Sequence, residues 1–455
     1  MTVDTIWASR SALEWVQFIL QDRFGHAFTL QLQPDNTLRI WLGPAAPCIE
    51  LPLDIATFIR SDSDLPCTQW NAAAEGWQAA LDPILPAPGA NALQSPLIEP
   101  TALGYRIHYD ILGLTYWMLS RQEEVGRTDL DSHGRFPATS SHAYKHGYLE
   151  RPIVDEWLYV LGKVIQRTWP GIALKRHMFS MKVSHDVDGP SRYAFLSWPG
   201  IARAMAGDLL KRRDFSAALR APWISLTSGD RLHPADPANT FDWIMDMSER
   251  HGMTSAFYFI CGRTAPQLDA DYEPEHPAIR ALMRQIHQRG HVIGLHPSYN
   301  TYQTTSAIVA EAKRLRAVAE SEGIRQAEWG GRMHFLRWEH PTTLRAWDEA
   351  GMDYDSTLSY ADHPGFRSGT CFEYPAFDPV AKAMLKLRVR PLVAMECTVM
   401  APHYLGLGTG QMAFAKFKQL KEACRAVNGC FTLLWHNTQF ETEQKRRLYR
   451  DVIKE

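Results

Sequence analysis

The stretch MFSMKVSHDVDGP, residues 178–190, sets the reading of the chain. Residues 178–184 form a short apolar run of strand character. Asp186 and Asp188 follow, two apart, and Gly189-Pro190 then ends any regular element. The C-terminal end of a strand in a parallel α/β fold is where active sites gather. As the strand breaks, both carboxylates can turn toward one cavity. Side by side they repel, so a cation or an arginine is expected next to them. Taken alone, the pair fits a turn with capping aspartates equally well.

Downstream of this stretch, strand and helix signals alternate. TFDWIMDMSERHG (240–252) predicts a helix with Thr240 as N-cap and Gly252 past its end. SAFYFI (255–260) predicts a buried strand. Residues 278–290 place Ile279, Leu282 and Ile286 on one helical face, closed by Gly290. HVIGLH (291–296) is the next strand, 306–323 a helix ended by Gly323, 343–351 a further helix, and FTLLWH (431–436) a late strand. This alternation argues a parallel sheet or barrel. Residues 190–240 interrupt it as an insertion after the first strand.

The first 175 residues read differently. FTLQLQPDNTLRIWL (28–42) alternates on both sides of Pro34-Asp35-Asn36, a hairpin signature. Residues 81–100 hold five prolines and read as a linker or surface loop. Residues 101–170 look largely helical, most clearly ILGLTYWMLSRQEE. The expected organisation is an N-terminal α/β domain over 1–100, a helical connecting region over 101–175, and a catalytic region over 176–455.

Composition narrows the functional classes. Among 455 residues, 48 Lys and Arg stand against 50 Asp and Glu, a net charge of −2 that gives no electrostatic case for nucleic-acid or polybasic membrane binding. Asp4, Arg10 and Glu14 interrupt the N-terminal apolar residues, so no signal peptide is expected, and no stretch is long and apolar enough for a transmembrane helix. The seven cysteines are scattered singly, with no CxxC pair, which suits a reduced, cytoplasmic protein. The 15 tryptophans serve either packing or the stacking of sugar rings.

Three further signals carry chemistry. GLHPSYN (294–300) puts His296 at a strand end and Asn300 four positions on, where both could grip one metal. GGRMHFLRW (330–338) supplies Arg332 and His334 on one loop, with GMDYDST (351–357) behind it. LLWHN (433–437) puts His436 at the exit of the last strand. Each alone fits a local structural role. Their order after Asp-x-Asp gives a set of parts for metal-assisted amide hydrolysis.

This ordered set resembles the polysaccharide deacetylase superfamily, carbohydrate esterase family four and its chitooligosaccharide deacetylase relatives, in the branch whose first motif reads Asp-x-Asp. The resemblance covers roughly 176–455. It implies a distorted (β/α) barrel of about seven strands behind a smaller α/β domain. It also implies Asp186 as general base, Asp188 and His296 as metal ligands, Arg332 orienting the base, and His436 as general acid. Asn300 stands where the family has a second histidine ligand, and His334 is the rival for that place. Arg367, in the loop 365–375, is a candidate for a substrate carboxylate or phosphate. Residues 1–150 resemble the poorly characterised region found before some such domains in bacterial surface-polysaccharide gene neighbourhoods.

The function implied is a metal-dependent N-deacylase, a deacetylase or deformylase, acting on an amino sugar or a nucleotide- or lipid-linked sugar precursor in surface polysaccharide biosynthesis. It would cleave C–N amide bonds that are not peptide bonds. One divalent ion is implied, Zn²⁺ first, with Co²⁺, Fe²⁺ or Ni²⁺ as alternatives. Two other readings stay open: a degraded barrel that binds carbohydrate or acts as a scaffold, and a hydrolase of a non-sugar linear or cyclic amide.

Overall fold

The computed structural model describes residues 7–43 and 47–454. The chain forms two compact units. One comprises Met1–Ser180, Leu358–Val393 and Gln419–Phe431. The other comprises Met181–Thr357, Ala394–Lys418 and Thr432–Glu455.

In the first unit, α1 (Arg10–Phe24) precedes β1 (Thr29–Leu32), β2 (Thr37–Trp41) and β3 (Cys48–Pro52). β1 and β2 form the expected hairpin, with Leu32 opposite Leu38. Its turn is closed by Asp35, whose carboxylate accepts from the Thr37 amide at 3.1 Å. β4 (Cys67–Asn71), β5 (Ile84–Pro88), β6 (Ile98–Thr101) and β7 (Gly104–Ile107) follow. The sheet runs β1-β2-β3-β7-β6, and β4 pairs with β5 as a separate ribbon.

The proline-rich stretch is therefore not a linker, since it carries β5 and β6. Pro86 lies opposite Gln69 and Pro88 opposite Cys67, two apart on the strand. Their carbonyls accept from the side chains of Trp157 at 2.8 Å and Tyr109 at 2.7 Å. Their backbone thus turns away from β4, so the missing N–H groups cost the ribbon nothing.

α2 (Ile111–Leu119), α3 (His142–Lys145) and α4 (Ile153–Thr168) complete the N-terminal part. All nine residues of α2 are buried, so its spacing reports a core helix rather than an amphipathic one.

The second unit begins with β8 (Ser180–Val187), followed by α5 (Trp198–Gly207), α6 (Phe215–Thr227) and α7 (Phe241–Arg250). Then come β9 (Ser255–Ile260), α8 (Pro277–Gln288), β10 (Val292–His296), α9 (Thr305–Ser321), β11 (Gly330–Gly331), α10 (Thr342–Glu349) and β12 (Tyr354–Asp355). The chain passes through the hairpin β13 (Tyr374–Asp378) and β14 (Ala383–Val389) in the first unit, where Phe377 stacks on Trp15 with ring centroids 4.8 Å apart. It continues as β15 (Ala394–Met395), α11 (Glu396–Met400), α12 (Gln411–Ala426), β16 (Cys430–Leu434) and α13 (Glu443–Ile453).

Seven strands stand in the order β12-β11-β10-β9-β8-β16-β15. The ladders β8/β9, β9/β10, β10/β11, β11/β12 and β15/β16 are parallel, from Val183 opposite Ser255 to Ala394 opposite Leu433. The architecture is mixed α/β on a parallel sheet. Among the described residues no pairing joins β12 to β15. Each has only two residues, and the expected barrel is not closed among the described residues.

Two local readings change. Thr240 precedes α7 but does not cap it; its hydroxyl donates to the Asn437 carbonyl at 2.7 Å. Of the tryptophans, Trp7, Trp15, Trp117, Trp157, Trp347 and Trp435 are fully buried, so these six pack cores.

Candidate metal centre and active site

The chemistry-bearing side chains of the second unit leave the C-terminal ends of its strands. Asp186 is the penultimate residue of β8, and Asp188 follows the strand. His296 ends β10. Arg332 follows β11, His334 lies two residues on, Glu396 follows β15, and His436 comes just after β16.

Close approach of β10 and β11 sets the spacing. A Cβ on Gly331 would sit 1.8 Å from the Leu295 carbonyl oxygen, so only glycine fits there. The next amide, that of Arg332, donates to that same oxygen at 3.0 Å. Past Arg332 the loop turns sharply. Phe335 (φ +60°) and Leu336 (φ +55°) both take the left-handed conformation, a strained arrangement for bulky side chains.

Two histidines are oriented alike. His296 Nδ1 lies 2.6 Å from the Arg332 carbonyl oxygen, which can only accept, so Nδ1 carries the proton. His334 Nδ1 lies 3.1 Å from a carboxylate oxygen of Asp269. Asp269 is itself held by the amides of Ala265 and Tyr299. Burial would raise its pKa, but these hydrogen bonds hold it below the ordinary carboxylate value. In their neutral forms both imidazoles therefore turn an Nε2 lone pair toward the site.

Those lone pairs meet Asp188. Its Oδ1 lies 3.4 Å from His296 Nε2 and 3.8 Å from His334 Nε2. One donor atom from each of the three residues lies within 4.8 Å of the others. His296 Nε2 and Asp188 Oδ1 are buried without a hydrogen-bond partner. Orphaned buried atoms of this kind are costly. Two nitrogens and one carboxylate oxygen, with histidines braced from behind by a carbonyl and a carboxylate, suit a borderline divalent ion such as Zn²⁺.

Asp186 has a different environment. Its Oδ1 accepts from Arg332 Nη1 at 2.8 Å. The guanidinium is fully buried and also donates to the Ser184 hydroxyl, the Ser356 hydroxyl and the Ser356 carbonyl. The other oxygen of Asp186 lies 3.7 Å from His296 Nε2. The arginine anticipated beside the two carboxylates is thus present.

His436 stands opposite. Its Nε2 is 3.6 Å from Asp188 Oδ2, and its Nδ1 is 2.6 Å from Glu396 Oε1. Burial alone would depress its pKa, but the Glu396 charge raises it well above the usual imidazole value, with hydrogen bonds to Cys397 and Glu396 adding to this. Glu396, Cys397 and His436 also form a cluster of donor atoms. There, however, Nδ1 and Oε1 already satisfy each other.

Two expected site residues lie elsewhere. Asn300 is exposed; its amide donates to the Thr264 carbonyl at 3.0 Å, and its oxygen accepts from Arg337 at 3.2 Å, so the oxygen expected on a metal is already engaged. Arg367 lies in the first unit, buried, with its guanidinium on the Glu124 carboxylate at 2.5 and 3.0 Å. A buried arginine paired in this way has no free edge for substrate. Conversely, Asp269 and Glu396 went unread in the sequence. Each is a lone acid outside any motif, and its importance lies only in the histidine it faces.

Residues 13–170 match the model of a family of unknown function, DUF7033. No curated protein matches the chain. Among solved structures, the chain is similar to a protein described as a polysaccharide deacetylase from Mycobacterium smegmatis, at 16% identity and TM-score 0.38, over 63% of this chain and 84% of that one. It is also similar to Puue allantoinase, at 16% identity and TM-score 0.35 over 63% and 85%. A protein described as a polysaccharide deacetylase from Pseudomonas aeruginosa PAO1 matches at 17% identity and TM-score 0.33, over 63% and 85%.

Proposed function

We propose that the second unit is a metal-dependent N-deacylase, acting on an acylated amino sugar or sugar precursor of a bacterial surface polysaccharide. The observation that carries this reading is the convergence of Asp188, His296 Nε2 and His334 Nε2 on one point, flanked by Asp186 and His436. On this reading the sheet is an unclosed form of the deacetylase barrel. Asp188, His296 and His334 hold the ion, Zn²⁺ first. Seven cysteines without a disulfide support a reducing, cytoplasmic setting.

The ion, when bound, supplies Lewis acidity toward the acyl carbonyl and lowers the pKa of water. The chain's own residues do the rest. Asp186, fixed by Arg332, takes a proton from the attacking water. Arg332, donating to Asp186 Oδ1 at 2.8 Å, keeps that carboxylate aimed. His436 enters the reaction protonated, because Glu396 holds the charge on its ring, and gives its Nε2 proton to the leaving nitrogen. Glu396 fixes the tautomer. The products are a free amine and a short carboxylate, acetate or formate. A degraded, carbohydrate-binding barrel would lack a full ligand set; Asp188, His296 and His334 still supply three donors without Asn300.

The test is release of free amine from N-acetylated and N-formylated amino sugars, free and nucleotide-linked, by metal-loaded protein. Small cyclic and linear amides form a parallel series. The proposal expects turnover of the sugar series that is lost in Asp186→Asn. Turnover confined to the small amides would move the substrate class, and binding of sugar without turnover by the metal-loaded protein would overturn the enzyme reading.

A further inference from the structure

The insertion after β8 carries a surface the catalytic reading leaves unused. Its two helices pack through a small core of Tyr193, Ile201, Ala221 and Ile224. Asp208, buried between them, accepts from Tyr193 at 2.6 Å and from Arg192 and Arg212 at 3.0 Å. Asp214 caps α6 through the Ala217 amide at 2.9 Å. The hairpin is therefore internally satisfied on one side.

On the other side it is apolar and exposed, with the Trp223 indole donating to His233 at 3.2 Å. Phe215, Leu219, Trp223 and Leu226 recur at spacings of four, four and three, one face of α6, and are 66, 82, 59 and 70% exposed. Leu210, in the turn before α6, is 81% exposed, and Trp198 and Leu209 are exposed as well. Seven of the nineteen large apolar side chains exposed among the described residues thus fall within residues 198–227. A helix that is apolar on both faces needs a second covering.

The charges say what covers it. Residues 198–227 hold five basic side chains and two acidic ones. Both acids are used inside the hairpin. Arg203, Lys211, Arg213 and Arg220 are exposed, and no ion pair among the described residues engages them. Exposed tryptophan and leucine among uncompensated cations is the composition of a helix that lies in a membrane interface. A two-fold contact between two copies would bring the same cations face to face. No helix among the described residues is long and apolar enough to cross a membrane.

We propose that the α5–α6 hairpin docks the protein on an anionic lipid surface, with Phe215, Leu219, Trp223 and Leu226 entering the acyl boundary and Lys211, Arg213 and Arg220 meeting headgroup phosphates. Docking requires no turnover, so it stands apart from the deacylase reading.

The experiment is co-sedimentation of the full chain with phosphatidylcholine vesicles, with and without phosphatidylglycerol. Expected is binding that needs the anionic lipid and weakens with salt. The triple variant Lys211→Gln, Arg213→Gln, Arg220→Gln should bind about 10²-fold more weakly, about 5-fold per cation. Leu219→Ser with Trp223→Ser should abolish binding while the far-ultraviolet circular dichroism stays that of the wild type, since both side chains are exposed. Wild-type protein left in the supernatant with anionic vesicles, or binding that neither variant weakens, overturns the proposal. So does a wild-type dimer, seen by light scattering, that the Leu219/Trp223 variant converts to monomer.

Discussion

Replacing Glu124 by Gln removes one charge from the most buried ion cluster of the first unit and leaves its shape. Arg121 and Arg367 both bind this carboxylate: Arg121 Nη2 at 2.7 Å, Arg367 Nη2 at 2.5 Å. Arg121 also donates to the Arg367 carbonyl at 2.5 Å. Burial alone would raise the Glu124 pKa, but the two guanidiniums outweigh it and bring it down from 4.5 to about 2. A depression of about 2.5 pH units is worth roughly 3 kcal/mol at 1.36 kcal/mol per unit. Breaking one partner of a buried ion pair costs about 3–5 kcal/mol, a consistent range.

The sign follows from the direction. A depressed carboxylate stabilises the fold above its unfolded value of 4.5, and that contribution fades as pH falls toward about 2. Glu124→Gln should therefore lower stability by about 3 kcal/mol at neutral pH, near 10 °C in melting temperature. The gap to wild type should close as the pH approaches about 2. Urea and thermal unfolding across that pH range measure it. A gap under about 1 kcal/mol at neutral pH, or one that does not change with pH, refutes the argument. Arg367→Lys should likewise cost stability and leave KM unchanged; a raised KM with unaltered stability would return Arg367 to the substrate.

Three predictions concern the site. Asp186→Asn should abolish turnover and keep the ion, since it removes the base and no ligand; metal content by mass spectrometry beside activity checks this. His436→Ala should lower kcat by about 10²–10⁴-fold, less for ester than for amide substrates, because a better leaving group needs less protonation. Glu396→Gln removes the charge that raises the His436 pKa, so the alkaline limb of the rate profile should move to lower pH; an unmoved limb would detach Glu396 from the acid.

The parallel sheet was legible because β9, β10 and β16 are short apolar runs with turn residues at their ends. Asp188, His296, Arg332 and His436 could be read because strand ends mark functional positions in such folds. His334 could be suspected only from its place beside Arg332. Asp269 and Glu396 could not be read, because a second-rank acid gains meaning from a histidine 65 or 40 positions away. Arg367 was misjudged because sequence does not show which arginines lose their solvent. Nor does periodicity reveal that Leu358–Val393 returns to the first unit.

The claim at the centre is that Asp188, His296 and His334 hold one divalent ion and Asn300 does not. Zinc titration with stoichiometry by mass spectrometry, on wild type, His334→Ala and Asn300→Ala, tests it directly. The account predicts one ion per chain in wild type, an unchanged affinity in Asn300→Ala, and loss of the ion in His334→Ala. Retention of the ion by His334→Ala, together with its loss from Asn300→Ala, would contradict it.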